Sequence, residues 1–476
     1  MAVHHNDVAY LSAGELLAGY RAGELSPVEV TEALLERVDR ANPALNAIVT
    51  VTGETARAQA RAAEAAYREG CTDGRPLLGV PFTIKDNIAV KGVRSTMGSL
   101  LSEHFVPDFE PPTVERSFAA GAVLLGKTNT PEYGWKGETT NRVFGSTHNP
   151  WNLELTPGGS TGGGAAAVAA GFGPLALGTD GGGSIRIPAS FSGLFGYKAS
   201  FGVIPVVPNG TLETLSHVGV LARTVRDGVL YAGVLAGPDA RDRLSLNATG
   251  IDFTGVLDRG VEGFRVAWSP DLGYAAVEPE VLELCVRAAR ALEEAGAVVE
   301  EVALDLDDPY PIFDVFFTAA MGGPHAENFE EVRDRIDFGR VPVVERALKA
   351  SSADVGAALV RRYQWHERMR TLMERYDVLV TPTMPLTAFK AGLDHPGTVA
   401  GRPVDGLSWS PFTYPMNLTG QPACSVPAGL TKDGLPVGLQ IVGGWHGDEA
   451  VLRAAAAFEA VRPWHHLRPP YPGAAA

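Results

Sequence analysis

Lysine is scarce in this chain, and Lys85 stands inside an apolar run, Gly79-Val80-Pro81-Phe82-Thr83-Ile84-Lys85-Asp86-Asn87-Ile88. A lysine in a buried strand must be paired, reach water or lose its charge. Asp86 is the nearest candidate partner, yet neighbours along a strand point to opposite faces, so it is badly placed to neutralise Lys85. Burial would then lower the lysine pKa and leave a neutral amine near pH 7, which is a base. A second segment, Thr156 to Ala167 (TPGGSTGGGAAA), sets Ser160 and Thr161 among five glycines just ahead of a helical pattern. A helix cap would account for one hydroxyl but not for the glycines, which let backbone approach closely. The third segment, Leu177 to Pro188 (LGTDGGGSIRIP), places Ser184 directly after Gly181, Gly182 and Gly183. Successive glycines can turn their N–H groups around an anion. A serine ending such a loop can attack a carbonyl whose oxygen those amides hold.

Other motif matches lack the context their chemistry needs. Gly121 to Thr128 (GAVLLGKT) fits the phosphate-loop pattern by letter. Its middle residues read as the strand itself, and Pro131 interrupts any helix after Lys127. Gly158-Gly159-Ser160-Thr161-Gly162 matches a nucleophile elbow, but 149–157 is a poor strand, and His217, His325, His366, His395 and His446 are scattered without distinguishing context. A Ser-His hydrolase is therefore a weaker reading. His325-Ala326-Glu327 resembles half of a zinc deaminase site whose cysteine half is missing, so no metal and no cofactor is expected.

The elements that would position these segments follow from patterning. Ser26-Pro27-Val28-Glu29 is a helix start, followed by apolar Val30, Leu34, Leu35 and Val38 at helical spacing. Glu54 to Tyr67 reads as a surface helix, Ala165 to Gly178 as a buried helix then a strand, 278–296 as an amphipathic helix, and Val298 to Leu304 as a strand. Short apolar runs alternating with helix-length segments from Leu77 onward predict an α/β fold. The expectation is a single large α/β/α sandwich with a mixed, mostly parallel central sheet covered by helices on both faces. One domain over 1–476 is favoured: N-terminal helices at about 10–70, a core at about 77–235, a variable helical region at about 240–375, a return to the core at about 376–460, and a loose proline-rich tail at 461–476. The 55 acidic against 40 basic residues, a formal net charge of −15, argue against a nucleic-acid partner. Cys71, Cys285 and Cys424 cannot build a disulfide framework. With no secretory leader in the first residues and no run of about 18 apolar residues for a membrane span, a cytoplasmic protein is expected.

The chain resembles the amidase signature family of Ser–cis-Ser–Lys hydrolases. The likeness runs in order through GVPFTIKDNI, GKTNTPEYG, TPGGSTGGGAAAVAAG, GTDGGGSIRIPASFSGLFGYKAS, YPMNLTGQPACSVPAG and GLPVGLQIVG, across roughly residues 10 to 460. Ser160 lies 75 residues after Lys85, and Ser184 lies 24 after Ser160, the separations the resemblance leads one to expect. The resemblance implies Ser184 as the acylated nucleophile. It implies Ser160 as a bridging serine after a cis peptide bond to Gly159, and Lys85 as the neutral base that takes the proton through Ser160. It also implies an oxyanion hole of the N–H groups of Gly181, Gly182, Gly183 and Ser184. Thr161, Thr179, Asp180 and Arg186 would support the loops.

Departures from the family pattern refine this. Thr161 replaces a second serine but keeps a hydroxyl. Gly181 stands where a larger residue is frequent, which would loosen the loop or widen the site. Ser410 stands where the glutaminase subunit of tRNA-dependent amidotransferases usually has an aspartate, arguing against that role. Tyr133, Gly134, Trp135, Phe316, Trp409 and Tyr414 are expected to wall the pocket, so a small neutral aryl or alkyl carboxamide is the expected substrate. The expectation is an amidohydrolase without membrane association, and the resemblance alone suggests a homodimer. The alternatives are a carbamate or ester hydrolase with the same triad, then a glutaminase subunit.

Overall fold

The computed structural model describes residues 8–471 apart from 209, 211, 212, 248, 249 and 254. Its frame is an eleven-stranded sheet built from β1 (Ile48–Val51), β2 (Pro81–Lys85), β3 (Val123–Thr128), β4 (Leu175–Asp180), β5 (Phe195–Lys198), β6 (His217–Ala222), β7 (Arg265–Trp268), β8 (Val298–Glu301), β9 (Val378–Pro382), β10 (Ala423–Leu430) and β11 (Pro436–Gly443). Their spatial order is β1-β3-β2-β4-β6-β5-β10-β11-β9-β7-β8.

The sheet is mixed, as expected, but antiparallel pairing predominates. β3, β2 and β4 run parallel to one another, as do β9, β7 and β8, whereas the six other neighbouring pairs are antiparallel. The expectation of a mostly parallel sheet is corrected here. Thr431 to Leu435 is too short for a crossover helix, so β10 and β11 can only form a hairpin. The lysine-bearing segment that mimics a phosphate loop is indeed strand β3.

Six helices matter for the site. α1 (Pro27–Leu45) starts where the Ser26 hydroxyl accepts from the N–H groups of Val28 and Glu29, and buries Val30, Leu34, Leu35 and Val38. α2 (Gly162–Ala169) is buried along its whole length, because only glycine, alanine and valine line it. Gly163 is required there: a Cβ would lie 2.3 Å from the backbone N of Asn129. α3 (Arg186–Ser192) follows the Ser184 loop, and α4 (Pro279–Glu294) lies across the sheet from it. Cys424, Val426, Leu439 and Ile441 join the core under α4, while Gly438 meets Ser190 of α3 on the other face. α5 (Tyr310–Gly322) sets Phe313 against Gly182, and α6 (Tyr414–Thr419) brings Asn417 to Asp180 at the end of β4.

The strand expected over 298–304 is shorter, ending at Glu301. The C-terminal stretch is anchored through residue 471 rather than loose. Trp464 Nε1 donates to the Arg223 carbonyl, and the Tyr471 hydroxyl donates to the Ala170 carbonyl while accepting from Arg37. The remainder of that stretch, 472–476, lies outside the described residues. Among the described residues no helix is long and apolar enough to cross a membrane.

Candidate active site

The parallel strands β3, β2 and β4 end on the same edge of the sheet, with Lys85 opposite Thr128 and Ile84 opposite Leu177. The Phe82 ring packs edge-on against Phe118 and Tyr231 in the main core, and Ile84 belongs to the same cluster. Alternation therefore sends Lys85 to the face carrying α2. There Lys85 is fully buried, and its Nζ donates to Ser160 Oγ at 2.6 Å and to Thr179 Oγ1 at 2.8 Å. Asp86 turns the other way, accepting from the Thr96 N–H and hydroxyl and pairing with Lys127 at 3.5 Å. Burial pushes the Lys85 ammonium down to about 7, against the opposing pull of the Asp180 charge.

The peptide bond between Gly159 and Ser160 is cis. Gly134 abuts Ser160: a Cβ there would stand 2.9 Å from Ser160 Oγ, and its φ of 76° is left-handed. The Thr161 hydroxyl donates to the Thr179 carbonyl at 3.1 Å, and the Thr161 N–H donates to the Ser184 carbonyl at 3.1 Å. The strand-end threonine and the serine loop are thereby tied to the start of α2. Thr179 Oγ1 also accepts from Asn87 Nδ2 at 3.2 Å.

A fully buried ion pair braces the loop before Ser184. Arg186 donates to both carboxylate oxygens of Asp180, at 3.0 and 2.9 Å, and reaches on to the Thr413 carbonyl, Gln440 and Asn417. Burial alone would raise the Asp180 carboxyl, but the Arg186 guanidinium holds it below the usual carboxylate range. Asp180 also accepts from the N–H groups of Gly183, at 2.7 Å, and Ile185, at 3.2 Å. Gly183 thus departs from expectation: its N–H serves Asp180. Gly181, Gly182 and Ser184 line a cavity of about 360 Å³ together with Ser160 and Thr179.

Only part of the expected pocket wall is found at the cavity. Tyr133 and Gly134 line it. Trp135, Phe316, Trp409 and Tyr414 do not. Trp135 and Tyr414 are buried in an aromatic core with Phe313, and the Tyr414 hydroxyl donates to Asp308 at 2.6 Å. Trp409 is fully buried against Phe191 and Phe389. Phe316 packs beneath the Arg362 guanidinium, and its neighbour Phe317, a helical step of about 100° away, faces the cavity with Ala320 and Met321. Ser410 is buried, its hydroxyl donating to the Leu407 carbonyl at 2.8 Å. Missed by the motif reading are Asn87, Phe109, the Val206 to Pro208 stretch, His325 as a wall residue, and Arg340, all cavity-lining. Asn87 sits within the Lys85 segment and is accessible from it. Of the five histidines considered, His325 alone lines the cavity among the described residues, whereas His217 is buried beside Lys198, with Nδ1 2.9 Å from the Leu215 carbonyl oxygen.

Comparison with known proteins finds relatives along nearly the whole chain. A family model described as amidase matches residues 29–452. An acylamidase of Rhodococcus erythropolis is 40% identical over 97% of each chain. A glutamyl-tRNA(Gln) amidotransferase chain of Roseiflexus castenholzii is 37% identical over 96% of each. Among solved structures, a bacterial aryl acylamidase of the amidase signature enzymes superposes with a TM-score of 0.88 at 33% identity, covering 96% of this chain and 97% of that one. A 6-aminohexanoate cyclic dimer hydrolase in complex with substrate gives 0.87 at 29% identity, covering 97% and 99%.

Proposed function

The chain belongs to the amidase family and is an amidohydrolase, and we propose that it cleaves small neutral aryl or alkyl carboxamides through an acyl enzyme on Ser184. The observation that carries this reading is the 2.6 Å contact between the buried Lys85 amine and Ser160 Oγ. A lysine pushed down to about 7 is about half free base in neutral solution. In this reading Ser160 passes the Ser184 proton to Lys85 Nζ as Ser184 Oγ bonds to the carbonyl carbon. The carbonyl oxygen becomes an oxyanion facing the N–H groups of Gly181, Gly182 and Ser184. Collapse of that intermediate breaks the C–N bond, and the proton returns through Ser160 to the leaving amine. Water then repeats the sequence on the ester, releasing the acid and restoring Ser184.

The apolar wall supplied by Ile187, Val218, Phe317 and Met321 supports a neutral acyl or amine group. The buried Ser410, hydrogen-bonded to backbone, offers no carboxylate for the ammonium of glutamine, which weighs against service as a glutaminase subunit. The acidic net charge of −15 supports a small-molecule partner over nucleic acid, and the three free cysteines suit the cytoplasm. A panel of aliphatic amides, anilides, carbamates and glutamine, ranked by kcat/KM, tests the assignment. Anilides or aliphatic amides should lead; glutamine in first place would sink it.

A further inference from the structure

The cavity wall beside Tyr133 holds two buried polar side chains that the proposed chemistry does not use. Arg340 is 2% exposed and His325 is 6% exposed, and both line the cavity. The Arg340 guanidinium lies over the Tyr133 ring at 4.9 Å, and Tyr133 is next in sequence to the Gly134 that abuts Ser160. One of its nitrogens, Nη2, donates to the Met321 carbonyl at 3.0 Å. Nε meets no acceptor at hydrogen-bond distance, Nη1 faces only the Glu132 carboxylate at 3.7 Å, and neither imidazole nitrogen of His325 meets a partner at hydrogen-bond distance, with the Asn328 side chain nearby. Buried donors left unpaired are costly, at about 1–3 kcal/mol each, and in a cavity wall a bound ligand is one way to supply the missing partner.

The charge balance decides which partner fits. Glu132 faces Arg340, with Oε1 3.7 Å from Nη1, and is itself held by the Ser99 hydroxyl and the Asp337 N–H. Arg340 therefore already faces a carboxylate, and its Nε still lacks an acceptor. Burial and the neighbouring Arg340 charge push the His325 imidazolium down from its usual value, against a smaller opposing pull from the nearby Asn328 side chain. The neutral ring offers one N–H and one lone pair.

We propose that Arg340 and His325 form a polar subsite that binds a neutral hydrogen-bond acceptor, a carbonyl or ether oxygen, carried by the substrate away from its scissile amide. The apolar residues Phe317, Ala320 and Met321 flank it, so the favoured substrate has an apolar body with one such oxygen. This deepens the amidase reading above and rests on it.

The test uses pairs of amides identical except for oxygen in place of methylene, with the exchange made in the acyl chain in one series and in the amine in another. The wild-type enzyme should prefer the oxygen member at least about 10-fold in kcat/KM in one series. The preference should fall to within about 2-fold in Arg340→Met and in His325→Phe, and return in part in Arg340→Lys. The methylene member reports the integrity of each variant, and His325→Phe decides the matter if Arg340→Met does not fold. A ratio near one in both wild-type series, a ratio unchanged in the variants, or stronger preference for a carboxylate in the oxygen's place would each overturn the subsite. Turnover without discrimination sinks the subsite alone; no turnover of any amide sinks the amidase reading with it.

Discussion

Lys85 Nζ and Ser160 Oγ lie 2.6 Å apart, although 75 residues separate them, and no carboxylate intervenes. The amine is buried in the end of a strand, where it also donates to the neutral hydroxyl of Thr179. Burial has therefore moved its titration down to about 7. With the free amine as the active form, as proposed, kcat/KM for a neutral amide should rise with pH through about 7 and level off above it. A profile flat from pH 5.5 to 9 would contradict the role of Lys85 as base.

The same burial has a stability signature. The Lys85 pKa falls from an ordinary 10.5 to about 7 on folding, so the unfolded chain binds more protons between those values. Stability from this group therefore increases as pH rises through that window and is lowest at and below about 7. Relative to Lys85→Met, the wild-type unfolding free energy should gain up to about 1.4 kcal/mol per pH unit between pH 7.5 and 9.5. Urea titrations of both proteins across that range measure the slope.

Gly134→Ala tests how closely Ser160 must be held. The added Cβ would press on Ser160 Oγ, and kcat should fall by about 100-fold. Gly145→Ala is the control, since Gly145 has a similar φ of 80° but open space around it, and activity should survive.

Phe317 and Trp409 should separate specificity from packing. Phe317→Ala enlarges the cavity and should raise kcat/KM for bulkier amides relative to acetyl compounds. Trp409→Ala, at a fully buried position outside the cavity, should cost about 3–5 kcal/mol in denaturant titration while leaving the order of substrates unchanged.

What the amino-acid sequence discloses depends on locality. Lys85 is legible because a lysine inside an apolar strand is odd by itself, and strand alternation correctly dissociates it from Asp86. The N–H of Gly183 is not, because a glycine run shows where backbone is bare but not which amide an aspartate three residues earlier will claim. Trp135 and Phe316 each stand one position away from a cavity residue, Gly134 and Phe317. In a helix such as α5 one residue turns the side chain by about 100°, enough to exchange cavity for core. The subsite formed by Arg340 and His325 is not legible as a site, because His325 stands out only as half of an unrelated motif and that wall comes from packing of its segment against the Tyr133 loop. Sheet direction is hidden because apolar runs look alike in parallel strands and in doubly covered antiparallel ones, such as β10 and β11.

The central claim is that Ser184 takes the acyl group with Lys85 acting through Ser160. Treating the enzyme with a fluorophosphonate and locating the adduct by peptide mass spectrometry tests it most directly. The account predicts a single adduct on Ser184, formed about 100-fold or more slowly in Lys85→Ala. An adduct on Ser160, or equal labelling rates in the two proteins, would contradict it.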